Sequence, residues 1–95
     1  MAVYLAVPLN PTSTALNSAV EQKFEITDRY QLQSDRGWLI KFPGTSIELS
    51  NYIGLTGRES GALSSLGSAI IVPVLTYYGR GPSDMWEWIK TRLEQ

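Results

Sequence analysis

Ala69-Ile70-Ile71-Val72-Pro73-Val74-Leu75-Thr76-Tyr77-Tyr78-Gly79-Arg80-Gly81-Pro82-Ser83-Asp84-Met85-Trp86-Glu87-Trp88-Ile89-Lys90-Thr91-Arg92-Leu93 is the stretch whose reading decides the fold. Its first part, Ile70 to Tyr78, is too short to cross a bilayer and is rich in β-branched and aromatic residues, which predicts a strand with a buried face. Pro73 cannot donate to a ladder, so the strand is expected at a sheet edge or bulged there. Gly79 and Gly81 flank Arg80 and open backbone angles closed to other residues. Pro82 suits the first position of a helix, and Asp84 in the first turn suits the helix dipole. The reading is therefore strand, turn, and a helix from Ser83 to Leu93.

On that helix Met85, Trp86, Ile89 and Leu93 share one stripe at core-facing spacing. Trp88 falls outside it, because residues two apart on a helix point to opposite sides. Two expectations follow. Either Trp88 lies half covered at the edge of the stripe with Arg92 stacked over its ring, or it belongs to a partner surface, where Trp and Tyr are enriched.

Upstream, residues 56–68 read as a Gly/Ser-rich loop, long enough to be mobile or functional. Before it, Thr45-Ser46-Ile47-Glu48 matches a capping box and predicts a short helix from Ser46 to Ile53, ended by Gly54. Ile47 and Leu49 also alternate with polar neighbours, so a third hairpin strand is the competing reading. Tyr30 and Leu32, then Trp38, Ile40 and Phe42, alternate on either side of Ser34-Asp35-Arg36-Gly37, which predicts a hairpin. Leu16, Ala19, Val20 and Phe24 keep helical spacing, with Asn17, Glu21, Gln22 and Lys23 outward and Thr12, Ser13 and Thr14 as candidate N-caps. Val3 to Val7 reads as a first, buried strand that stops at Pro8.

The resulting order predicts an α+β fold in a single domain spanning residues 1–95: a ferredoxin-like βαββαβ sandwich with an added C-terminal helix. The last strand of that topology is an edge, in keeping with Pro73. The alternative is a small three-layer α/β fold with a mainly parallel sheet.

The chain has 95 residues, 8 basic against 9 acidic side chains and a net charge of −1. Without clustered Lys and Arg it has no basis for electrostatic binding of nucleic acid. It contains no Cys and no His. That composition rules out disulfides, thiolate nucleophiles, Ser-His and Cys-His pairs and the commonest transition-metal ligand, and it suits a cytoplasmic setting. No basic segment precedes the first apolar run, so it reads as a strand and not a leader, and no segment reads as membrane-spanning.

The ending from Tyr77 to Lys90 resembles the close of a group of short bacterial and phage proteins, with an aromatic-Gly-Arg turn leading into an Asp-x-Trp-Glu-Trp helix. The resemblance implies a bacterial or mobile-element source and carries no activity with it. Val3-Tyr4-Leu5-Ala6-Val7-Pro8-Leu9 is also similar to the first strand of nucleoside deoxyribosyltransferases, whose remaining pattern is missing here.

Asp84 and Glu87 share a helix face, but carboxylates near a helix start serve its dipole, and no nucleophile has an evident base. Catalysis is therefore not expected, and neither a metal nor a cofactor is. A small anionic or nucleotide-like ligand could sit at the two loops that enter helices, on Asn10, Thr12 and Ser13 and on Arg80. The favoured expectation is a protein-interaction or regulatory module that associates with itself or another protein. Its expected surface comprises Tyr77, Tyr78, Trp88 and Arg92 beside the edge strand.

Overall fold

The computed structural model describes residues 2–10, 14–57 and 66–93. Its elements are β1 (Ala2–Pro8), α1 (Thr14–Lys23), β2 (Arg29–Gln31), β3 (Trp38–Phe42), α2 (Ser46–Tyr52), β4 (Ala69–Pro73) and α3 (Ser83–Leu93). Short 3-10 turns at Ile26–Asp28 and Gln33–Asp35 flank β2. The strands form one four-stranded sheet in the order β2-β3-β1-β4. Every neighbouring pair is antiparallel. It follows that β1 and β2 run parallel with β3 between them, and β3 and β4 run parallel with β1 between them. The mainly parallel sheet of the alternative reading is not what forms.

Side-chain alternation sorts the core into two layers. On one face Tyr4, Ala6, Trp38 and Ile40 pack with Leu16 and Val20 of α1 and with Leu49 and Ile53 at α2. On the other, Val3 and Leu39 pack with Trp88 and Ile89 of α3. The added helix therefore covers the sheet face that α1 and α2 leave open, and Trp38, Leu39 and Ile40 are consecutively buried because β3 is covered on both sides.

Local chemistry explains the element boundaries. Thr45 caps α2: its side chain accepts from the Glu48 amide at 3.1 Å while the Glu48 carboxylate accepts from the Thr45 amide at 3.0 Å. The capping box thus decides for a helix against a third hairpin strand. Between β2 and β3, Ser34 and Asp35 both take positive φ, and Leu32 N–H donates to Gly37 C=O at 2.9 Å. Gly37 has φ +137°, and a Cβ there would lie 2.4 Å from the Ala6 carbonyl oxygen of β1. Only glycine lets the turn approach β1 so closely. Asn17, expected outward, instead accepts from the buried Trp38 indole N–H at 2.8 Å.

β4 is shorter than the predicted strand, which ran to Tyr78. Val74 N–H still donates to Val3 C=O at 2.8 Å, and beyond it the chain leaves the ladder. Residues 74–82 accordingly leave the sheet and carry Tyr77 onto α3. Part of the predicted 56–68 loop, residues 58–65, lies outside the described residues. Among the described residues no helix is long and apolar enough to cross a membrane.

Candidate functional site

Among the described residues, exposed large apolar side chains occur singly at Leu9, Ile26, Ile47 and Tyr52 and as a run, Ile70, Val72, Leu75 and Tyr78, along β4 and the segment after it. Cross-strand partners share a face, so Ile70 and Val72, opposite Val7 and Leu5, project on the α3 side of the sheet. α3 lies over β1 and β3 and does not reach them: Ile70 is 49% and Val72 36% exposed, Leu75 is 81% exposed and Tyr78 is fully exposed. Tyr77 turns back and stacks on Trp86, with ring centroids 5.9 Å apart and planes at 20°. Trp86 Nε1–H donates to Gly81 C=O at 3.2 Å, which ties the turn to the helix.

Two grooves flank this stacked pair. One, of about 470 Å³, is lined by Tyr77, Tyr78, Gly79, Ser83, Trp86, Glu87 and Lys90. The other, of about 430 Å³, is lined by Tyr77 and Tyr78 together with Leu5, Val72, Val74, Met85 and Ile89. Both volumes lie within the span of small-molecule sites, but the polar side chains at hand are few: Ser83, Glu87 and Lys90 in the first groove and Thr76 in the second.

The residues expected to form a partner surface separate. Tyr77 and Tyr78 line the grooves. Trp88 does not join them: it is 9% exposed and belongs to the layer with Val3, Leu39 and Ile89. The stripe that meets the sheet is centred on Trp88 and Ile89, with Trp86 at its edge. A sheet face is broad enough to take both residues, which a narrow helix–helix seam is not. Arg92 does stack on Trp88, with its guanidinium 4.3 Å from the ring centroid. Its Nε and Nη2 donate to Thr27 C=O and its Nη1 to Trp88 C=O, so the group secures the end of α3 to the turn before β2. Trp88 Nε1 is buried without a hydrogen-bond partner among the described residues.

The anion-binding expectation finds its residues apart. Asn10 Nδ2 donates to Leu66 C=O at 3.0 Å and its Oδ1 accepts from the Ser68 amide at 3.1 Å, which commits the side chain to holding the approach to β4. Thr12 and Ser13 lie outside the described residues. Arg80 is exposed in the turn before α3. Because α1 and α3 lie on opposite faces of the sheet, their starts do not converge on one ligand. Asp84, in the first turn of α3, accepts from Tyr30 Oη at 2.9 Å. Burial, and then the Asp84 hydrogen bond and charge, hold the Tyr30 phenol above its ordinary pKa.

Sequence reasoning missed Ile70, Val72 and Leu75 as exposed residues. The sequence predicts a strand with a buried face without assigning which of its side chains stay bare, and the position of α3 over β1 and β3 decides that. No protein-family model, no curated protein and no solved structure matches the chain.

Proposed function

We propose that this chain is a small non-enzymatic protein-interaction module that associates with itself, in a regulatory or scaffolding role, in the cytoplasm of a bacterium or on a mobile element. The observation that carries the reading is the run of bare apolar side chains Ile70, Val72, Leu75 and Tyr78 along an edge strand and the segment after it. Contiguous apolar surface rimmed by polar groups is characteristic of protein-interaction sites. The absence of His and Cys from the sequence, which leaves Ser, Thr and Lys without their usual base, supports a binding role over a catalytic one. For the architecture we infer a ferredoxin-like sandwich with an added C-terminal helix; the two βαβ units, each split by a strand of the other, support it.

The test is native mass spectrometry or sedimentation over a range of concentrations. A reversible multimer is expected, and Ile70→Lys is expected to weaken it while leaving the circular dichroism spectrum unchanged. A chain that stays monomeric at every concentration defeats the proposal. A second reading, a binding module for a small anionic or nucleotide-like ligand, draws on the 470 Å³ groove, where Ser83 opens α3 and Lys90 supplies a cation. It is distinguished in the same experiment by a fixed extra mass on the monomer that is lost on Arg80→Ala or Lys90→Ala.

A further inference from the structure

We propose that the partner is a second copy of this chain, joined strand to strand through β4 in antiparallel register about a two-fold axis at Ile71. This rests on the self-association proposed above and assigns its geometry. Val74 N–H donates to Val3 C=O and Ser68 C=O accepts from Leu9 N–H, both at 2.8 Å. In an antiparallel ladder, bonding residues alternate, so Ser68, Ile70, Val72 and Val74 turn their polar groups toward β1. Ala69, Ile71 and Pro73 turn theirs away, and among the described residues β4 pairs with β1 alone. Pro73 thus occupies an outward position, where its missing N–H costs the β1 ladder nothing.

That edge is complementary to itself. With Ile71 opposite Ile71 of the second copy, the two residues exchange both hydrogen bonds. On each side of them an Ala69 N–H meets a Pro73 C=O, so the proline is used only as an acceptor. The whole of β4 overlaps its copy in this register. It also sets Ile70 of each chain directly opposite Val72 of the other on the α3 face, covering both bare side chains at once. A register shifted by two residues, with Ile70 opposite Ile70, pairs Val72 with Ser68 and leaves Pro73 outside the strand. Charge favours the same partner: no charged residue occurs from Ser60 to Gly79, so self-pairing opposes no like charges. Edges that remain in water are ordinarily guarded by such charges, and here only Pro73 blunts the edge. The pairing continues the four-stranded sheet through the two-fold axis. A contact carried by a five-residue strand is short, so the dimer is expected to be a weak, reversible one.

The chain has no Cys of its own, so introduced thiols report the register directly. Ile70→Cys and Val72→Cys proteins are mixed in equal amounts, oxidised gently, and the disulfide dimers are separated by mass. Directly opposed residues of a non-hydrogen-bonded pair have Cα atoms about 4.5 Å apart, within disulfide range, whereas the diagonal Ile70–Ile70 and Val72–Val72 pairs lie at about 7–8 Å, beyond it. Random pairing of equal amounts gives the mixed disulfide about half of the product, so it is expected to rise well above that half, with the two homodimers together the minor product. A predominance of the Ile70→Cys homodimer overturns the register in favour of the shifted one. A dimeric wild-type protein whose variants do not cross-link overturns the β4 pairing but leaves self-association standing, and a monomeric wild type removes both.

Discussion

Replacing Trp88 with alanine is the most direct test of the packing described for α3. The indole is 9% exposed and packs in the layer with Val3, Leu39 and Ile89. It also meets the Tyr30 ring at 6.3 Å between centroids and the Arg92 guanidinium at 4.3 Å. Truncating a buried aromatic to alanine costs about 3–5 kcal/mol, through lost transfer free energy and the cavity left behind. The Arg92 stack is the smaller part, about 0.5–1 kcal/mol at a partly exposed site. Against a total stability of roughly 5–14 kcal/mol for a chain of this length, the loss is a large fraction. With a urea m-value of about 1–3 kcal/mol/M, the midpoint of unfolding falls by about 2 M, read by far-ultraviolet circular dichroism. Trp88→Phe keeps a ring in the layer and removes the unpartnered N–H, so its cost is expected to be markedly smaller. A Trp88→Ala protein with an unchanged midpoint and altered assembly would refute the reasoning and return Trp88 to the surface.

Two further outcomes follow from local geometry. Gly37→Ala forces a Cβ to within 2.4 Å of the Ala6 carbonyl oxygen at a φ of +137°, and is expected to cost on the order of 1–3 kcal/mol or more, seen as a lower denaturation midpoint; an unaltered midpoint would mean the turn does not approach β1. The Tyr30 pKa is raised above its ordinary value, first by burial and then by Asp84, so the neutral phenol adds stability that is complete below about pH 10 and is lost as pH rises through the folded-state value. Phenolate absorbance, taken as the difference from Tyr30→Phe, is expected to show that late titration, with Asp84→Asn lowering it only part of the way because burial remains.

What the sequence determined by itself was every element governed by short-range chemistry. The capping box at Thr45 and Glu48, the Pro82-Ser83-Asp84 helix start, the alternation of Trp38, Ile40 and Phe42, and the proline that marks β4 as an edge all act within a few residues, where spacing along the chain equals spacing in space. The tertiary structure alone decided which face each helix covers. Trp88 read as peripheral because a single helix shows only its own stripe, yet the breadth of the sheet takes Trp88 and Ile89 together. Ile70 and Val72 belong to a strand expected to have a buried face, yet α3 packs on Val3 and Leu39 of β1 and β3 and leaves both exposed. Asn10 read as free for a ligand, but residues more than fifty positions away in the chain claim both ends of its amide. Burial is a property of what arrives from elsewhere in the chain, and neither composition nor periodicity records which surfaces remain uncovered once the layers have closed.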